Sequence, residues 1–167
     1  MAVALSQSFV VSEQGSSISQ DYIPMAEYQD VLARDAFGVY RGLLGDVTYS
    51  PTMGKYLSHF HNQKPSSTTQ PDEIYAREVM QLFSVGLIQR NMDFSPVLSA
   101  GVPVPTYDQT VITHTAKVFT GFTYSDAPTN PPNFYGGSGV HVEYRTRELK
   151  AVEGGNHVAE ILVFGNQ

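Results

Sequence analysis

Four groups of side chains in this 167-residue chain have types and spacings suited to chemistry. His59-Phe60-His61 sets two imidazoles two residues apart, which on an extended segment share one side and can bind a metal. At a helix end the same pair would sit over the last carbonyls instead. Arg77 and Glu78 follow Asp72 and Glu73. The two earlier carboxylates suit the first turn of a helix, and Glu73 is spaced to pair with Arg77. Arg77 and Glu78 could hold either a polar network or a substrate carboxylate. Asp126, Asn130 and Asn133 lie on a Pro-rich stretch. Oxygen ligands on an irregular loop suit calcium, although the spacing is not that of an EF-hand and a solvated turn explains it as well. Finally, His141 and Glu143 alternate on one strand face, with Glu148, Glu153, His157 and Glu160 close in sequence. A carboxylate-oriented imidazole can serve as a general base, and the same residues on an exposed hairpin would keep it soluble. His114 reads as a packing or surface histidine.

Much other chemistry is excluded. There is no cysteine, so no thiol nucleophile, disulfide or zinc–thiolate site. The chain has no GxSxG elbow and no HExxH, and the Gly-rich run at 136–139 lacks the Gly-Lys-Ser/Thr ending of a phosphate loop. By elimination, the enzymatic expectation is a cation-assisted hydrolase of a small ester, lactone or glycoside. Its catalytic set would be His141, Glu143, His157, Glu78 and Arg77. Its divalent cation, calcium by preference and without an organic cofactor, would draw on Asp126, Asn130, Asn133, His59 and His61. The competing expectation is a non-catalytic scaffold or interaction module, which fits the Tyr-rich neutral polar composition and the lack of a strong motif.

The elements that must position these groups are mostly helical. Ala2, Leu5, Phe9 and Val10 recur at helical spacing, and Asp21 to Pro24 reads as a helix entry with a helix through Met25–Ala33. Phe37, Tyr40, Leu43, Leu44 and Val47 repeat the pattern. Ser50-Pro51 starts a segment with Met53, Tyr56, Leu57 and Phe60 on one stripe. A polar loop spans 62–71. The strongest helix is 72–87, with Tyr75, Val79, Leu82 and Phe83 facing inward and Gly86 marking its end. A Pro/Gly-punctuated loop covers Asn91–Pro105. Thr106-x-x-Gln109 reads as a capping box before Val111, Ile112, Ala116 and Phe119, and Gly121 stops that helix. Residues 125–139 are too rich in Pro and Gly for a helix, and 140–144 with 159–164 suggest a hairpin turning at Gly154–Asn156. The expected architecture is one mainly α domain. A helical body at 1–124 carries an irregular loop and a C-terminal β-hairpin at 125–167.

Charge and composition narrow the partners. Lys and Arg number 10 against 16 Asp and Glu, a net charge of −6 that offers no basic surface to nucleic acid. Nine Phe and ten Tyr are too many for a disordered acidic tail. No apolar run approaches the ~20 residues of a membrane span, and the N-terminal segment lacks the basic start of a signal peptide. Apolar helix faces left uncovered would lead to self-association.

Three blocks resemble one family: AFGVYRGLLGDVTYSPTMGKYLSH at 36–59, PDEIYAREVMQLFSVGL at 71–87 and PTYDQTVITHTAKVFTGFTY at 105–124. Together they resemble the bacterial domain of unknown function 1800 family over roughly residues 1–125. Departures occur at Ile74, Thr113, Lys117 and Phe122, where the family usually has Asn, an acidic residue, Arg and Trp. The resemblance implies a largely helical fold, association with exported systems and a chain that is an internal portion of a longer protein. It implies no activity.

Overall fold

The computed structural model describes residues 1–12, 14, 22–124 and 149–151. Its described part is mainly α: α1 (Ala2–Ser8), α2 (Tyr22–Arg34), α3 (Tyr40–Tyr49), α4 (Pro51–Tyr56), α5 (Ile74–Gln81) and α6 (Gln109–Val118). Two antiparallel strand pairs accompany the helices: β1 (Leu98–Ser99) with β2 (Val102–Pro103), and β3 (Phe122–Tyr124) with β4 (Leu149–Ala151). The hairpin expected at 140–144 and 159–164 lies outside the described residues, as does the loop at 125–139.

One core joins the helices. Phe9, Tyr28, Leu32, Leu43, Val47, Met53, Tyr75, Val79, Phe83, Phe119 and Phe122 form a single buried cluster. Burying such side chains is the main favourable term in folding, about 1.5–3 kcal/mol each. Hydroxyls tie the elements at fixed points. The Tyr28 hydroxyl donates to the Phe9 carbonyl at 2.8 Å, and the Thr52 hydroxyl donates to the Pro24 carbonyl at 3.0 Å. Pro51 occupies the first turn of α4, where its missing N–H leaves no helical bond unmade.

Several expected boundaries move, each for a local reason. The helix expected over 72–87 is shorter: Leu82 is its C-cap. The amides of Phe83 and Gly86 then turn back onto the Glu78 and Met80 carbonyls at 2.9 and 2.8 Å. Gly86, at φ +74°, takes the left-handed position that closes the helix. This wrap-back keeps Phe83 buried and leaves Leu82 60% exposed, so Leu82 is not a core residue. Phe37 is 87% exposed because α3 starts only at Tyr40, which places Phe37 on the connection before it. Tyr40 and Val111, at the same apolar helical spacing as buried Leu43 and Ile112, are both exposed. The N-cap of α6 is Asp108, whose carboxylate accepts from the Val111 amide at 3.0 Å, rather than Thr106. Within Asn91–Pro105, expected as a loop, a hairpin turns at Ala100-Gly101, both at positive φ.

Candidate functional site

α5 carries the charged string and α6 receives it. Arg77 Nη2 donates to Glu73 Oε2 at 2.7 Å and to Gln109 Oε1 at 2.9 Å. Gln109 Nε2 donates back to both Glu73 oxygens at 3.1 and 3.0 Å. The Thr113 hydroxyl donates to Glu73 Oε1 at 2.9 Å. Hydrogen bonds from Gln109 and Thr113, with Arg77 beside them, hold the Glu73 carboxyl below its usual range. A carboxylate, a guanidinium, an amide and a hydroxyl thus satisfy one another across the α5–α6 contact. The expected Glu73–Arg77 pair is present, and Gln109 and Thr113 turn it into an interhelical clasp. Its spacing from Thr106 predicts that Gln109 caps its own helix, and spacing alone does not reveal the cross-helix partner. Glu78 points elsewhere, as adjacent helix positions must. Among the described residues its Oε2 is buried without a hydrogen-bond partner.

The two histidines of the 59–61 string behave differently from each other. α4 ends at Tyr56, and Ser58 and His61 both adopt positive φ, so the string lies on a tight connector beyond the helix. His59 is 1% exposed, and its Nε2 lies 2.9 Å from the Thr48 carbonyl. A carbonyl only accepts, so Nε2 carries the proton and donates. His59 does bind a helix-end carbonyl as one reading expected, but the helix is α3 rather than its own. The ring lies over Tyr75, with centroids 3.8 Å apart, and Phe122 meets it edge-on at 5.7 Å. The Tyr75 hydroxyl shares a 2.7 Å hydrogen bond with the Thr48 hydroxyl. Burial pushes the His59 pKa down to about 4, partly opposed by the Thr48 bond. His61 instead stacks on Phe60 at 3.7 Å and faces the Thr123 hydroxyl at 3.4 Å. Burial, with Lys55 nearby, lowers its pKa too. Among the described residues no three His, Asp or Glu side chains converge as a metal-ligand set. Asp126, Asn130, Asn133, His141, Glu143 and His157 lie outside the described residues.

Composition places Asn62 in a polar loop, yet its side chain is buried and hydrogen-bonded. Its amide donates to the Asp72 and Phe119 carbonyls at 3.1 and 3.3 Å, and its oxygen accepts from the Asp72 amide at 2.8 Å. A lone Asn in a Ser/Thr-rich stretch gives no periodic signal, so sequence reasoning had nothing to detect.

The remaining unusual surface is apolar. The Tyr40 hydroxyl donates to the Phe83 carbonyl, linking the start of α3 to the segment that follows α5. Beneath it Phe9 packs on Tyr40 and Phe83, at 6.0 and 4.9 Å between centroids. On the two segments that this bond joins, Phe37, Val39 and Tyr40 on one side and Leu82 and Val85 on the other are exposed.

A mainly α body with a polar clasp between α5 and α6 is the class that fold and geometry define. The family model described as a protein of unknown function, DUF1800, matches residues 1–159, so the chain belongs to that family. The match runs beyond the three blocks that carry the resemblance. No curated protein and no solved structure matches. Among the described residues no helix is long and apolar enough to cross a membrane.

Proposed function

We propose that this chain is a non-catalytic interaction module that works through the apolar end formed by Phe37, Val39, Tyr40, Leu82 and Val85. One observation carries the reading: Phe37, Val39, Tyr40, Leu82 and Val85 stay exposed on the two segments that the Tyr40–Phe83 bond joins. Contiguous apolar surface on a folded domain marks interaction sites, because leaving it in water costs free energy that a partner recovers. The charged string of α5 supports the same reading. Glu73 and Arg77 are engaged with Gln109 and Thr113 in holding two helices together.

The rival proposal is cation-assisted hydrolysis, with Asp126, Asn130, Asn133, His141, Glu143 and His157 among its residues. One preparation decides between them. The interaction reading expects bis-ANS fluorescence to rise on the folded protein and to fall by half or more in Phe37→Ser/Leu82→Ser, with the circular-dichroism melt unchanged. It also expects no turnover of ester, lactone or glycoside panels. Unchanged dye binding in the double variant, or turnover abolished by EDTA, would contradict it.

A further inference from the structure

Residues 57–73 connect α4 to α5 outside the helices and strand pairs. The bonds that hold this stretch are gathered at its start. The amides of Phe60 and His61 donate to the Gly54 and Phe122 carbonyls at 3.0 and 2.9 Å. Asn62 then fastens three places at once. Its Oδ1 accepts from the Asp72 amide at 2.8 Å and its Nδ2 donates to the Asp72 carbonyl at 3.1 Å. One side-chain amide thus closes the neck of a loop over 63–71, as the close ends of an Ω-loop require. Nδ2 also donates to the Phe119 carbonyl at 3.3 Å, and the Asn62 carbonyl accepts from the Gly121 amide at 2.9 Å. A single residue ties the neck to the start of α5 and to the end of α6.

Past the neck, Ser66 makes a local turn by accepting from the Thr68 and Thr69 amides at 3.2 and 3.0 Å, and Gln63, Lys64, Ser66, Ser67 and Thr68 are exposed. Exposed, locally bonded chain opens at a lower free energy than packed helices do. Ser58 and His61 add strain to the closed form, with φ of +65° and +61° in the left-handed region that side chains disfavour. The same stretch carries His59. Its Nε2 is used on the Thr48 carbonyl, and its Nδ1 is buried without a hydrogen-bond partner among the described residues. An imidazole nitrogen with a free lone pair is a nucleophile. In the closed form Tyr75, Phe119 and Phe122 pack around that ring.

We propose that residues 57–73 are a strap latched by Asn62, which opens as a unit while the helices stay folded and so gates access to the His59 imidazole. Native-state hydrogen exchange on the full wild-type chain reads the opening without any substitution. The amides of His61, Asn62, Asp72 and Gly121 should exchange at least tenfold faster than the hydrogen-bonded amides of α2. Their rates should change little in subdenaturing urea, because a local opening exposes little surface. Strap amides that match α2 in both protection and urea dependence overturn the proposal, since the strap would then open only with the whole molecule. Diethyl pyrocarbonate, which acylates unprotonated imidazole, reads the gate. In the wild type His59 should react at least tenfold more slowly than His114, which is exposed on α6. Asn62→Ala should speed His59 at least tenfold and leave His114 unchanged. A His59 that reacts as fast as His114 in the wild type, or no faster in Asn62→Ala, overturns the gate. Loss of α2 protection in Asn62→Ala overturns the latch, because Asn62 would then hold the whole fold and not a strap.

Discussion

His59 shows how one residue type supports opposite expectations until its surroundings are known. As a member of a His-x-His string it suggests a ligand. In the fold it is a neutral ring, sealed between Tyr75, Phe119 and Phe122, that donates its one proton to Thr48. No charged group contributes to its lowered pKa: burial is the largest cause and a backbone bond the only opposing one. The consequence is a pH-dependent stability of definite sign. Above about pH 6.5 both folded and unfolded chains hold this imidazole neutral, and full stability is present. As the pH falls below that value the unfolded chain takes up a proton that the folded chain refuses, until about pH 4. Across that window the group costs about 3 kcal/mol. Urea unfolding at pH 7.5 and pH 4.5 should therefore show a larger acid loss in the wild type than in His59→Gln, whose side chain does not titrate. Equal losses in the two proteins would mean that His59 is not buried neutral. Neither periodicity nor spacing could have distinguished this histidine from His61, which differs in burial and not in type.

At the scale of elements, the order of helices was legible because apolar residues recur at helical spacing. Their ends were less so. The stripe Tyr75, Val79, Leu82, Phe83 continues through the point where α5 stops, since the helix and the turn that replaces it both bring an apolar residue inward. What decides between Leu82 and Phe83 is the wrap-back of the Phe83 and Gly86 amides, a tertiary event without a periodic trace. Phe83→Ala should cost about 3–5 kcal/mol, the range for deleting a buried aromatic ring, while Leu82→Ala should stay within about 0.5 kcal/mol as surface changes do. Chemical denaturation of the two variants checks this, and a large loss at Leu82 would return it to the core. The capping box at Thr106–Gln109 fell to a stronger competitor: Asp108 caps α6 and frees Gln109 to reach Glu73. The hairpin within Asn91–Pro105 was hidden for another reason. Its strands are two residues long, too short for alternation to register, and its turn uses Ala100 as well as Gly101 at positive φ. Of the candidate site, the Glu73–Arg77 pair was legible from its spacing of four. Its partners on α6 were not, because they come from more than thirty residues away.

For the molecule as a whole, the central claim is that the apolar end beside α3 and α5 is an interface. Family membership and fold are consistent with many roles, since function resides in sites and not in architecture. Hydrogen–deuterium exchange on the full chain, with and without saturating bis-ANS, tests the claim most directly. The account expects amides at 37–41 and 82–86 to exchange more slowly with the dye bound, while the tip of the exposed hairpin at 98–103 exchanges at one rate throughout. Exchange at 37–41 and 82–86 that the dye leaves unchanged, or protection that appears at the hairpin instead, would contradict it.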